Sequence, residues 1–228
     1  MRVAGAHVLL TGATGDIGRR LATHLSDAGA RLTLVARSRP PLEALAADLG
    51  AHAAPADLTD RATLRSLVRD VEQAHGPIDV LVNNAMAYTW GALPETTTAD
   101  WHANFTTSVG GTFCGTRTAM KTMKSRGGSI VNISSICGTL GTAWMAGYSA
   151  AKAAIINFSR AAAAEGAASG IRVNVVVPAV VETPATAGML ADAKSRQGTE
   201  KLIPMGRVGQ PEEIANAILF LASDEASY

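Results

Sequence analysis

His7-Val8-Leu9-Leu10-Thr11-Gly12-Ala13-Thr14-Gly15-Asp16-Ile17-Gly18 runs from a short apolar strand, through a glycine-rich turn, into the start of a helix. Glycines in such a turn let the backbone bend sharply and approach a pyrophosphate. The helix that follows offers free N–H groups and the positive end of its dipole. The pattern continues outward from this point. Short apolar or β-branched runs at 7–10, 31–36, 51–54, 80–83, 129–134 and 172–177 alternate with helix-patterned stretches at 18–28, 41–49, 61–75, 99–124, 148–168 and about 212–222. Such β-α alternation, with mostly apolar strands, predicts an α/β fold with a doubly wound parallel sheet covered by helices on both faces.

Length and composition agree with one domain spanning 1–228. The 228 residues are 47% hydrophobic and 17% charged, which excludes a disordered chain. A formal net charge of +1, with no Lys/Arg cluster, gives no reason to expect nucleic acid or an acidic membrane surface as a partner. No apolar run reaches the roughly 20 residues of a membrane span. The N-terminal run is too short for a signal-peptide core. The two cysteines, Cys114 and Cys137, lack metal-ligand spacing, and the histidines are scattered, so no metal site is expected. A reducing, cytoplasmic setting is the expectation. Residues 183–207, irregular and interrupted by proline, predict a mobile loop that serves as a substrate lid, with room for one short helix.

Two further stretches carry chemistry. Tyr148-Ser149-Ala150-Ala151-Lys152 opens a helical segment, and positions i and i+4 share a face. A cation beside a phenol favours tyrosinate and makes the tyrosine a usable acid/base for carbonyl–alcohol interconversion. Ser129-Ile130-Val131-Asn132-Ile133-Ser134-Ser135 reads as a buried strand ending in hydroxyls, at the end where doubly wound sheets place their ligands. At the end of the second strand stands Val35-Ala36-Arg37-Ser38-Arg39, without the carboxylate that would bind a ribose 2′-hydroxyl. Arg37, with Arg39 as a possible second, points to a 2′-phosphate and so to NADP ahead of NAD. Cys137 has no histidine nearby to activate it and is read as a small packing residue. Trp90, Trp144 and Met145 either line a substrate pocket or pack in the core, and Asn132 is read as structural.

Taken together, these motifs resemble the short-chain dehydrogenase/reductase family in its single-domain Rossmann form, from about Val3 onward. The resemblance implies that Ser135 orients the substrate oxygen, Tyr148 is the acid/base, and Lys152 tunes Tyr148 and binds the nicotinamide ribose. It further implies cofactor contacts at Gly12, Thr14, Gly15, Asp16, Ile17 and Gly18, and at Arg37. Asp57-Leu58 would flank the adenine, and Asn84-Ala85 would support the fourth strand beside the cofactor. Pro178, Val181 and Thr183 would lie at the turn that meets the nicotinamide carboxamide. A homotetramer or dimer is implied, acting on a small carbonyl or alcohol substrate.

The chain departs from the family pattern in four ways. The middle glycine falls at 15 rather than 16, which leaves an acid, Asp16, beside the pyrophosphate position. Met86 and Ala179 stand where glycines are usual. Ser108 occupies the place of an asparagine that, in the family, holds a water relaying protons to the lysine. The segment Ser223 to Tyr228 ends before the seventh strand found in family members. The leading expectation is an NADP(H)-dependent ketone/secondary-alcohol oxidoreductase. A non-redox isomerase or lyase on the same fold, or a weakly catalytic dinucleotide-binding regulator, are its rivals.

Overall fold

Six parallel strands form one sheet in the order β3-β2-β1-β4-β5-β6. They are β1 (His7–Thr11), β2 (Arg31–Ala36), β3 (His52–Pro55), β4 (Val80–Asn83), β5 (Gly128–Ile133) and β6 (Ile171–Val176) in a computed structural model that describes residues 3–227. Tyr228 lies outside the described residues. Every residue of β1, β4 and β5 is buried, whereas β3 and β6 carry partly exposed positions at the two edges. That distribution explains why the central strands read as continuous apolar runs.

Nine helices connect the strands among the described residues: α1 (Asp16–Asp27), α2 (Arg39–Leu49), α3 (Arg61–His75), α4 (Thr98–Asn104), α5 (Gly111–Thr122), α6 (Cys137–Leu140), α7 (Ala146–Gly166), α8 (Ala193–Lys201) and α9 (Pro211–Ala222). One core lies between the sheet and α1, α2 and α9, around Leu21, Leu25, Leu42 and Ile218. The other lies beneath α3, α5 and α7, around Val68, Val71, Met123 and Ala162. Each fully buried Leu, Ile or Val side chain contributes roughly 1.5–3 kcal/mol of transfer free energy. The amphipathic helices supply these residues from one face, so the doubly wound arrangement follows from the sequence pattern.

The single helix expected over 99–124 is instead three pieces. Between α4 and α5 the backbone adopts a π-helix at Phe105–Gly110. Its cause is legible in the burial. Asn104, Ser108, Thr112 and Thr116 are all buried at a spacing of four. A regular helix of 3.6 residues per turn would rotate such a stripe steadily out of the core. The wider i→i+5 turn offsets that drift. Thr116 then meets Asn83 Nδ2 at 3.2 Å, Asn83 Nδ2 donates to Asn132 Oδ1 at 2.9 Å, and Asn132 Nδ2 donates to Ser159 Oγ at 2.9 Å. This buried polar chain ties β4 and β5 to α5 and α7, the elements that carry the site, and Asn132 is part of it.

The expected boundaries shift elsewhere by a residue or two. α2 opens two residues early, with a proline in its first turn, where the missing N–H costs nothing. α6 is too short to leave a periodic signal. The region 183–207 holds α8, the one short helix expected there.

Candidate active site

The strand order reverses between β1 and β4, and the carboxyl ends of these two strands open a crevice. The turn after β1 is locked against the turn after β4. Asn84 Nδ2 donates to Gly12 O at 3.1 Å, and the N–H groups of Asn84 and Ala85 donate to Thr11 Oγ1 at 3.0 and 3.2 Å. Gly12 has φ +66°, and a Cβ there would lie 2.9 Å from the Ala85 backbone. Only glycine satisfies both the left-handed conformation and this approach.

A cleft of about 590 Å³ follows this crevice. Gly12, Thr14, Gly15, Asp16, Ile17 and Gly18 line its start, and Arg37, Asp57 and Leu58 line one side. Asn84, Ala85, Ser135, Tyr148, Lys152, Pro178, Val181 and Thr183 line the remainder. The structure thus gathers into one cavity all the proposed cofactor positions and three of the four proposed catalytic ones. Asp16 sits in the first turn of α1, within the cleft wall. Arg19 folds back so that its Nε donates to Thr14 O at 3.0 Å, bringing a positive charge to the same turn.

The fourth catalytic expectation, Ser108, is not brought to the cleft. Its hydroxyl is fully buried in the π-helix, accepts from Ala87 N at 3.3 Å and faces Ala87 O at 3.4 Å. Its neighbour Thr107 faces the cavity instead. Arg39 also leaves the site, since it pairs with Glu43 one helical turn on at 3.0 Å. Arg37 is the arginine from this segment that lines the cleft. Thr59 holds the Asp57 carboxyl below its usual range, through its N–H at 2.9 Å and its hydroxyl at 2.8 Å, with Arg37 adding to the effect.

Tyr148 and Lys152 sit near the N-terminus of α7 and are almost fully buried. Ser135, just past β5, is fixed by its neighbours. Ser134 Oγ donates to Lys152 O at 2.8 Å, and Ser135 Oγ accepts from Cys137 N at 3.2 Å, which leaves the Ser135 proton free to donate. α6 presses directly on α7 at Gly138, where a Cβ would lie 2.6 Å from Lys152 C. Lys152 Nζ donates to Ile133 O at 2.8 Å and lies 5.6 Å from the centre of the Tyr148 ring.

Burial dominates the electrostatics. It pushes the Tyr148 phenol up to about 12, with the nearby Ser135 hydroxyl offsetting only part of the rise. It pulls the Lys152 ammonium down to about 8. The direction opposes the lowering expected from a lysine neighbour, because desolvation of the phenolate dominates.

Three features of this half of the molecule went unread in the sequence. Tyr148 Oη donates to Met86 Sδ at 3.8 Å. The Tyr88 ring stands edge-on to Tyr148 with centroids 6.5 Å apart, and its hydroxyl donates to Ala185 O at 3.4 Å. Trp144, with φ +68°, is the one non-glycine residue in the left-handed region among the described residues, and its carbonyl accepts from Gly91 N at 2.9 Å. No helix of the described residues is long and apolar enough to cross a membrane, and no group of three or more metal-ligating side chains occurs among them.

Comparison with known proteins agrees with this architecture. A family model described as enoyl-(acyl carrier protein) reductase matches residues 12–228. The 3-oxoacyl-(acyl-carrier-protein) reductase of Escherichia coli (strain K12) is 38% identical over 231 residues, covering 100% of this chain and 94% of that protein. The enzyme of the same name from Thermotoga maritima is 38% identical over 234 residues, with the same coverage. The cis-4-hydroxycyclohexanecarboxylate dehydrogenase of Sinomonas cyclohexanicum is 39% identical over 227 residues, covering 96% of this chain and 90% of that protein. The chain belongs to the short-chain dehydrogenase/reductase family and is an oxidoreductase of that family.

Proposed function

We propose that this chain is an NADP(H)-dependent enzyme that interconverts a ketone and a secondary alcohol, working mainly as a reductase. The observation that carries the reading is that Ser135, Tyr148 and Lys152 line the same cleft that the glycine-rich turn opens. The closely packed turn, the helix N-terminus behind it and the basic side chain at Arg37 fit a dinucleotide with a 2′-phosphate. When bound in reduced form, that group supplies a hydride to the carbonyl carbon.

The remaining chemistry belongs to the chain. The Ser135 hydroxyl donates to the substrate oxygen and holds it. Tyr148 passes its proton to that oxygen as negative charge develops there. Burial keeps the phenol protonated at neutral pH, the form that donates to a developing alkoxide. Lys152, when charged, stabilises the tyrosinate left behind. Residues 183–207 form the lid. Its two stems are pinned together by the Glu182 N–Gly209 O and Gly209 N–Val180 O bonds, both 2.9 Å, and Tyr88 ties its near side to the body at Ala185.

Fluorescence titration with NADPH, followed by a panel of 3-oxoesters, 3-oxoacyl thioesters and cyclic ketones, tests this reading. Tight binding without turnover of any member would favour a regulator, and absence of binding would remove the reading altogether. The names of the relatives motivate the panel. Arg37 gives a sharper expectation. Arg37→Ala should lower the ratio of kcat/KM for NADPH over NADH by roughly 10–100-fold, mostly through KM, as expected for losing a charge-assisted hydrogen bond. An unchanged ratio would remove Arg37 from 2′-phosphate recognition.

A further inference from the structure

Met86 replaces the glycine usual in the family, and its side chain does something specific. Its sulfur accepts the Tyr148 phenolic proton at 3.8 Å, in the cleft wall where a substrate oxygen must come to receive that proton. The backbone is held before it, where Ala85 N–H donates to Thr11 Oγ1 at 3.2 Å, and after it. Ser108 grips both the N–H and the carbonyl of Ala87, and Tyr88 is bonded to Ala185 across the cleft. Met86 therefore cannot swing away as part of a mobile loop, and only its side chain can yield. A thioether is a weak acceptor, so a carbonyl oxygen displaces it readily from the phenol. Its three rotatable bonds let it fold aside for a slim neighbour, but its bulk stays in the pocket.

We propose that Met86 is a specificity-determining residue that covers the Tyr148 hydroxyl and restricts the substrate to carbonyls whose substituent on its side is unbranched. This rests on the carbonyl–alcohol reading above and assigns the pocket a shape on one flank of the reacting carbon. Straight methylene chains slide past the displaced thioether, whereas a branch or ring next to the carbonyl collides with it.

The test compares wild type, Met86→Gly and Met86→Leu on straight-chain ketones and on counterparts branched on either side of the carbonyl. Alongside, the rate of Tyr148 acetylation by N-acetylimidazole is followed by mass spectrometry of the Tyr148 peptide. Wild type is expected to favour the straight-chain substrate, and Met86→Gly to narrow that kcat/KM ratio by about tenfold or more, the scale of one methylene in a hydrophobic pocket. Met86→Leu, which keeps the bulk, should hold the ratio within about threefold. Acetylation of Tyr148 should speed up severalfold in Met86→Gly and not in Met86→Leu. A ratio unchanged in Met86→Gly overturns the proposal, as does a gain confined to the KM for NADPH, which would place the thioether against the cofactor. If wild type reduces no ketone, the carbonyl–alcohol reading fails on its own. The acetylation rates then still decide whether Met86 covers Tyr148, and equal rates overturn it.

Discussion

Tyr148→Phe is expected to lower kcat by about 10²–10⁴-fold, the usual worth of a positioned general acid, while NADPH still binds. The phenol lines the cleft, where its proton can reach the substrate oxygen without a relay, and its hydroxyl donates to the Met86 thioether, a weak acceptor. Removing the hydroxyl thus deletes the acid and gives up the weak Met86 contact and the interaction with the nearby Ser135 hydroxyl. The ring keeps its edge-on packing with Tyr88 and its place in α7. Folded stability should therefore stay within about 0.5 kcal/mol of wild type, as for a change that opens no cavity and strands no strong partner. Steady-state kinetics with thermal unfolding check both parts. A variant that turns over at the wild-type rate would remove Tyr148 from the chemistry.

Lys152→Met should abolish most turnover and yet make the protein more stable at neutral pH. Lys152 is one of the largest fully buried side chains among the described residues, and its ammonium falls from 10.5 to about 8 through burial. The folded state therefore binds fewer protons than the unfolded state between about pH 8 and 10.5, and stability rises with pH across that window. Below about pH 8 both states are protonated and the full cost of the buried charge, about 3 kcal/mol at roughly 1.4 kcal/mol per unit, is present. Losing the bond from Nζ to Ile133 O offsets part of the gain. A net stabilisation of about 1–3 kcal/mol at pH 7 is expected, shrinking as pH approaches 10.5. The same protonation governs activity. Reduction by wild type should fall as pH rises through about 8, because the cation that steadies the developing tyrosinate is lost. Urea unfolding at pH 7 and pH 10, with a pH–rate profile, reads both effects. A Lys152→Met protein less stable than wild type at pH 7 would contradict this account of the buried charge.

The sheet was readable because periodicity and burial agree. Runs such as Val80–Asn83 are apolar throughout since helices cover both of their faces, and the glycine-rich turn stands immediately after the first of them. Tyr148 and Lys152 were readable because i and i+4 share a helical face, a purely local fact. What escaped depends on contacts distant in sequence. The π-helix at Phe105–Gly110 hid behind a polar stripe spaced by four, which looks like an ordinary helix until its partners Asn83 and Asn132 are in place. The same geometry turned Ser108 toward Ala87 instead of the cleft. Met86 was visible as a bulky replacement for glycine, but its contact with Tyr148 spans 62 residues of chain. The pairing of Arg39 with Glu43 was available as an i,i+4 signal and would have left Arg37 alone at the 2′-phosphate position. The direction of the Tyr148 shift could not be read from a Tyr-x-x-x-Lys spacing, because desolvation depends on what the fold places over the pair.

Hydride transfer to a carbonyl carbon within this one cleft is the step on which the proposed activity rests. It is tested most directly by incubating the protein with a ketone from the panel and NADPH dideuterated at nicotinamide C4, and weighing the alcohol formed. One deuterium is expected on the carbinol carbon, with the labelled product lost in Tyr148→Phe. An unlabelled product, or a product formed without consumption of NADPH, would contradict it.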